Sequence, residues 1–325
     1  MLNSSQALIM TKDHEIIHKK DKIDLDTVDL SPDKFLIKII LTPLNPSDYY
    51  FCCHIKNKDK PLPCIPGFEA YGEVVGVGDA RDRQLLGSRV LVIPLNGTYC
   101  SYVVVDRKEI VYVNVDNNQA KKYFAVNPLT AMGLMEYTQN NNTKCVIQTG
   151  ASTQVGKMII KLAREQGITT INIVRSEKHR EILKKLGADY ILNSSSSGFV
   201  EELEDVCHRL CPTVALDCVG GELASLVFKN LTAQGTLVVY GLLSLVPVVN
   251  IDCNELISKE KKIEGFHVFH SFWKSKRIKD IQKLLEQFYK DGFDGEDKVN
   301  YFGPENFRSA LEQWPNRSSK FIMKF

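Results

Sequence analysis

A chain of 325 residues is long for a single hydrophobic core and predicts two domains. A formal net charge of only +2, from 41 basic and 39 acidic residues, argues against a nucleic-acid or membrane-surface partner. The composition, 44% hydrophobic, is that of a globular protein, and no apolar run reaches the roughly 18–20 residues that a membrane-spanning helix needs.

The first ten residues contain no Arg or Lys, and Ser5–Met10 already reads as a strand. No import presequence is therefore legible, which leaves import of a longer precursor open. Apolar, β-branched runs follow at Phe35–Leu41, Val90–Ile93, Ser101–Val105 and Ile110–Val115. They are separated by Pro and Gly and lack a helical period, so an antiparallel sheet or barrel-like domain is expected.

The rhythm changes after about residue 122. Cys145–Gln148 reads as a strand, and Val155–Arg164 as a helix whose apolar face holds Val155, Met158, Ile159, Leu162 and Ala163, stopped by Gly167. The strand Thr170–Val174 and the helix Glu177–Leu186, ended by Gly187, come next. Tyr190–Leu192, Val214–Asp217, Thr236–Tyr240 and Ile263–Val268 read as further strands, with helices at Phe199–Leu210 and Glu222–Asn230. Alternation of apolar strands with helices predicts a parallel, doubly wound sheet. A charged helix, Ile278–Asp291, and a last strand, Lys320–Phe325, are expected to return to the first domain. Asp48 is expected to cap a helix that follows it.

The segment Gly150-Ala-Ser-Thr-Gln-Val-Gly156 lies between strand and helix, where a dinucleotide pyrophosphate meets a helix N-terminus. A plain turn without ligand is the alternative. The following strand ends at Arg175, where NAD-binding units carry an acidic residue for the ribose 2′-hydroxyl; a guanidinium suits a 2′-phosphate, hence NADPH. Ser176, Lys178 and Arg180 extend that polar stretch, which a solvated helix start also explains.

These residues occur among blocks that resemble the zinc-free medium-chain dehydrogenase/reductases, and within them the mitochondrial 2-enoyl thioester reductases. The blocks are Leu44-Asn-Pro-Ser-Asp48, Pro66-Gly-Phe-Glu-Ala-Tyr-Gly72, Val126-Asn-Pro-Leu-Thr-Ala131, Thr170–Arg175, Asp217-Cys-Val-Gly-Gly221, Val239-Tyr-Gly241 and Ser318-Ser-Lys320. Quinone-reductase-like relatives share the architecture but fewer blocks. The resemblance implies an α/β fold: a Rossmann doubly wound parallel sheet beside a mostly β, GroES-like domain completed by the C-terminal segment. The expected bounds are 1–122 with 271–325 for the GroES-like catalytic and substrate domain, and 123–270 for the NADP-binding domain.

It further implies reduction of the 2,3 double bond of an acyl thioester on CoA or acyl carrier protein, in fatty acid metabolism. Cofactor contacts would fall at Asn127, Ser152, Thr153, Gln154, Val155, Gly156, Arg175, Ser176, Glu177, Tyr240, Gly241, Phe266, His267, Val268 and Lys320. Asn127 would face the nicotinamide, and Arg175 and Lys320 the 2′-phosphate. The resemblance also implies a homodimer and a mitochondrial location; a cytoplasmic one is the alternative.

Zinc-containing relatives carry a cysteine within the segment here occupied by Pro46–Asp48 and a histidine at the position of Phe68, so no metal is expected. Their structural zinc takes four closely spaced cysteines, and only Cys100 lies in that region. Nine scattered cysteines without a Cys-x-x-Cys predict free thiols, and Cys207-His208-x-x-Cys211 offers no fourth ligand. His267-x-x-His270 reads as aromatic packing rather than catalysis, and Cys218 as a small buried residue.

Two departures fall on functional positions. Lys56 stands at the family's catalytic tyrosine; a lysine can donate to a developing enolate oxygen, but Lys56–Lys60 also reads as a solvated charged loop. Gln154 stands where relatives carry the middle glycine of the phosphate loop; its amide would either bind a phosphate or fill the site. Together they keep open a catalytically impaired relative serving as a binding or structural subunit; a quinone or activated-alkene reductase of the same architecture is a further alternative.

Overall fold

The computed structural model describes residues 2–54, 61–112, 124–292, 298–316 and 319–325. They form two compact units: the described residues of Met1–Ala125, Ile278–Asp291 and Glu296–Phe325 in one, and of Val126–Arg277 and Gly292–Gly295 in the other.

The first unit opens with a two-stranded antiparallel hairpin, β1 (Leu2–Met10) and β2 (Ile16–Asp24). β3 (Lys34–Pro43), helix α1 (Pro46–Cys53), β4 (Ala70–Val77), β5 (Arg89–Val92), β6 (Tyr102–Asp106) and β7 (Ile110–Tyr112) follow. β3 is the organising strand, pairing antiparallel with both β4 and β6. Its side chains Phe35, Ile37 and Ile39 meet Val74, Val90, Val92, Val105 and Ile110 in one buried cluster. Burying each such side chain contributes about 1.5–3 kcal/mol. Two register shifts interrupt the β3–β4 ladder, and there Gly72 approaches so closely that a Cβ would sit 2.6 Å from the Lys38 carbonyl oxygen.

Helix α1 corrects one expectation. It begins at Pro46, so Asp48 is its third residue rather than its cap; the carboxylate reaches back to accept from the Asn45 backbone N–H at 2.8 Å.

The second unit begins with helix α2 (Val126–Asn140), then alternates β8 (Cys145–Gln148), α3 (Gln154–Glu165), β9 (Thr169–Val174), α4 (Arg180–Leu186), β10 (Tyr190–Asn193), α5 (Phe199–Leu210), β11 (Val214–Asp217), α6 (Gly221–Lys229), β12 (Thr236–Val239), α7 (Cys253–Ile257) and β13 (Lys262–Gly265). The six strands pair in parallel in the order β10-β9-β8-β11-β12-β13. This is the Rossmann order, with its switch point between β8 and β11. Strand β8 is buried on both faces, as an apolar run in a covered parallel sheet must be. The last strand ends at Gly265, not Val268. Phe266 still donates to the Val239 carbonyl, but Val268–Phe272 turns into a π-helical coil.

The chain then contributes α8 (Ile278–Lys290), β14 (Val299–Phe302), α9 (Phe307–Gln313) and β15 (Lys320–Lys324) to the first unit. β15 pairs antiparallel with β3 and parallel with β14, so the C-terminal segment completes the first unit's sheet.

Candidate active site

At the switch point the ends of β8 and β11 are stitched together by side chains. Thr149 Oγ1 donates to Asp217 Oδ1 at 2.5 Å, and Cys218 N donates to Thr149 Oγ1 at 3.0 Å. The other Asp217 oxygen accepts from Gly220 N at 2.9 Å, while Val219 N reaches Oδ1 at 3.2 Å. Burial raises the Asp217 pKa against these hydrogen bonds. Its role is to shape the Cys218–Gly221 turn.

The loop after β8 is drawn tight. Gly150 takes a φ of +60°, and a Cβ there would lie 2.6 Å from Cys218 Sγ. Ser152 is half-buried in the turn. Thr153 caps α3: its hydroxyl oxygen accepts from Gly156 N at 3.1 Å. A Cβ on Gly156 would meet the Ala151 backbone at 2.7 Å, so helix and loop approach as closely as main chains allow. Gln154 and Val155 are the first two residues of α3, both half-buried. The Gln154 side chain turns toward α2, where Asn127 Nδ2 donates to its Oε1 at 2.7 Å.

Arg175 follows the last residue of β9. Its side chain is exposed and makes no ion pair with a described residue. Ser176 caps the short turn Glu177–His179, and Glu177 is committed to Arg180, whose Nη2 donates to Oε1 at 3.1 Å. That partner holds the Glu177 pKa low. Arg180 is thereby paired with a carboxylate, and Arg175 is not paired with one among the described residues.

Tyr240 follows β12, its backbone N–H on the Asp217 carbonyl at 2.8 Å. Its hydroxyl is buried beside the Cys218 thiol, and burial first, then that neighbour, holds the phenol well above its ordinary pKa. Gly241 sits against Cys218, whose Cβ would be 3.0 Å from any added Cβ. Beyond β13, Phe266 approaches Gly133 of α2, and Val268 is buried. The His267 and His270 rings lie 4.7 Å apart, and burial, then His270, lowers the His267 pKa. The pair packs as aromatics.

In the first unit Lys320 opens β15 with its ammonium 4.7 Å from the centre of the Phe124 ring. Lys56 and Ser318 lie outside the described residues. Tyr49 and Tyr50 belong to α1; Tyr49 stacks on Trp314 with ring centres 4.2 Å apart, and Tyr50 stacks on His54. Phe68 packs edge-on against Phe51 at 5.6 Å, and among the described residues no group of three His, Cys, Asp or Glu could hold a metal ion.

Sequence reasoning missed the polar knot behind Phe68. Glu69 accepts from Asn45 Nδ2 at 2.7 Å and from Ala125 N at 2.8 Å, and Asp48 accepts from Phe68 N at 3.0 Å. Burial first, and the Glu69 carboxylate next, push the Asp48 pKa to about 8. The partners lie 20 or more residues apart in sequence, so only the Asn45–Asp48 spacing offered a local signal.

Comparison with known proteins bears on this geometry. The alcohol dehydrogenase GroES-like domain family matches residues 31–146, and the zinc-binding dehydrogenase family residues 155–289. The mitochondrial enoyl-acyl-carrier-protein reductase of Arabidopsis thaliana is 33% identical over 312 residues, covering 93% of this chain and 80% of that protein. The chain belongs to the enoyl-acyl-carrier-protein reductase family. Among solved structures, Etr1p of Candida tropicalis in complex with NADP and crotonyl-CoA superposes with a TM-score of 0.80 at 20% identity, over 99% of this chain and 100% of that one. A Mesorhizobium loti protein assigned to the NADPH:quinone reductases gives 0.86 at 23% identity, over 99% and 98%. At such identities these likenesses speak for the fold. The enoyl reductase family and the Rossmann switch point thus meet in one chain.

Proposed function

We propose that this protein catalyses the NADPH-dependent reduction of the 2,3 double bond of 2-enoyl thioesters. The observation that carries the reading is the 33% identity to an enoyl-acyl-carrier-protein reductase across 93% of the chain.

The residues of the second unit fit the cofactor. The Gly150–Gly156 loop leaves no room for a side chain on Gly156 and sets its backbone at the start of α3, where the helix field favours a pyrophosphate. Arg175 offers a guanidinium with no carboxylate partner among the described residues, the donor set that a 2′-phosphate requires. When bound, the dinucleotide supplies the hydride.

The chain's own residues hold and orient. Thr153 keeps the loop on its helix, Asp217 shapes the facing turn, and Asn127 presents its carboxamide at the start of α2. Reduction at the β-carbon leaves negative charge on the thioester oxygen, which needs a hydrogen-bond donor. Lys56, at the position of the family's tyrosine, is the proposed donor, with Tyr49 and Tyr50 of α1 as alternatives. The thioester is carried on CoA or acyl carrier protein.

A homodimer is proposed through β13, the outermost strand of its sheet, whose four residues are all exposed. A mitochondrial location is proposed from the Arabidopsis relative.

The test is to follow NADPH absorbance with crotonyl-CoA, longer enoyl-CoA esters and a quinone as acceptors. Consumption with the thioesters and none with the quinone is expected. NADPH binding without thioester turnover would move the reading to an impaired relative, and quinone turnover alone to a quinone reductase.

A further inference from the structure

β13 is the outermost strand of its sheet, and its free edge carries a pattern that selects what can pair with it. Lys262 and Phe266 donate their backbone N–H groups inward, to the carbonyls of Gly235 and Val239 at 2.9 and 2.8 Å. Backbone groups alternate sides along a strand, so Ile263 and Gly265 direct theirs outward, where they meet no partner among the described residues.

The side chains alternate as well. Glu264 lies on the face covered by α2, where Tyr137 Oη donates to its Oε2 at 2.9 Å. It borders a cavity that Gly133, Glu136, Tyr137, Phe266 and Phe272 also line. Lys276 pairs with Glu136 at 2.7 Å, whereas Glu264 pairs with no cation among the described residues. Lys262, two residues earlier and so on the same face, is exposed and pairs with no carboxylate among them.

A second copy of the edge fits this pattern. Antiparallel pairing about a twofold axis normal to the sheet keeps opposite side chains on one face, so the axis must pass through a residue pair. Centred on Lys262 or on Glu264, it brings like charges together. Centred on Ile263, it sets Ile263 against Ile263 of the partner subunit and Lys262 against Glu264 of the partner subunit, twice. The charged pairs then fall at non-hydrogen-bonded positions, where side chains come closest, and Ile263 exchanges both backbone bonds with its counterpart.

We propose that β13 pairs with a second copy in the register centred on Ile263, so that Lys262 of the partner subunit meets Glu264 at the mouth of the Tyr137 cavity. This rests on the homodimer proposed above, and Lys262 and Glu264 are the residues that select its register.

The test is a charge-reversal cycle on the full chain, read as the dimer dissociation constant in sedimentation equilibrium. Lys262→Glu or Glu264→Lys alone turns two attractive cross-strand pairs into repulsive ones and should weaken the dimer about tenfold. The two changes together restore opposite charges and should return the constant to within about threefold of wild type. Cross-linking reads the register itself. Ile263→Cys sets paired Cα atoms about 5.5 Å apart, so oxidation by diamide should give a covalent dimer bridged at position 263. Glu264→Cys leaves its Cα atoms about 8 Å apart, beyond bridging distance, and should behave as the wild type with its exposed Cys53, Cys211 and Cys253.

Single reversals that leave the dimer intact, or a bridge in Glu264→Cys and none in Ile263→Cys, overturn the register and leave β13 as the edge. Loss in both single variants without recovery in the double also overturns it, because the fold rather than the cross-strand pairs has then failed. A wild type of single mass at micromolar chain concentration overturns the homodimer and its register together. The failures are thus distinguishable.

Discussion

Arg175 and Arg180 have the same side chain and stand five residues apart, yet among the described residues only Arg180 is paired with a carboxylate. Glu177 takes up Arg180, and Arg175 is left in solvent at the end of β9. Charge-assisted bonds contribute about 1.5–3 kcal/mol. Arg175→Ala is therefore expected to raise the NADPH KM by about 10- to 100-fold and to leave the NADH KM within about twofold, as steady-state kinetics with both cofactors would show. Equal losses for both would remove Arg175 from the phosphate. Its place at the end of a strand was legible in the sequence because it depends only on the local pattern. Asp48 was not, because its state depends on Asn45, Phe68 and Glu69, brought to it by folding. With a folded pKa near 8 against an ordinary 3.8, the native state holds a proton that the unfolded chain releases. The sign follows: stability contributed below pH 4 is lost progressively as pH rises toward 8. Between pH 6 and pH 8 the unfolding free energy should fall by about 2 kcal/mol through this group, and Asp48→Asn should flatten that slope in urea titrations. A wild-type slope identical to the variant's would show Asp48 to be ionised throughout.

The α3 helix turns a sequence pattern into a buried face and a capped N-terminus. Met158, Ile159 and Ala163 on its inner face were readable from their spacing, and Gly167, at φ +66°, lies where the chain leaves the helix. Its cap was less visible, since Ser152 and Thr153 both qualify by type; the hydroxyl that accepts from Gly156 belongs to Thr153. Thr153→Ala should destabilise the fold by about 1 kcal/mol and weaken NADPH binding, with Thr153→Ser restoring both; chemical denaturation and a binding titration read the two effects. Helix α5, Phe199–Leu210, was read to its ends because Phe199, Leu203, Val206 and Cys207 form a single buried stripe. By contrast β2, with Lys19, Lys20, Asp21 and Lys22 in its middle, hides a strand behind charge: among the described residues it pairs with β1 alone, and most of its side chains meet solvent. Strand β13 misled in the other direction. The apolar residues beyond Gly265 extend its pattern, but the backbone coils there, burying Val268 and Phe272 in a π-turn. Helix α2 escaped notice because Leu129, Ala131, Leu134 and Met135 are buried on several sides rather than along one stripe.

For the molecule as a whole, the two compact units carry different parts of the account. The second holds the Gly150–Gly156 loop, Arg175 and the Gln154–Asn127 bond; the first holds the buried Asp48–Glu69 knot. If β13 is a dimer edge, Ile263→Asp, at a position 39% exposed, should convert a particle of twice the 36.7 kDa chain mass into one of single mass, measured by light scattering. A wild type already of single mass would refute the dimer and leave the chemistry untouched. The most direct measurement concerns the hydride itself. Crotonyl-CoA reduced with NADPH deuterated at the transferable position should yield butyryl-CoA carrying one deuterium at C3, seen by mass spectrometry and NMR. Consumption of the cofactor with no deuterium at C3, or no consumption with any enoyl thioester, would contradict the account.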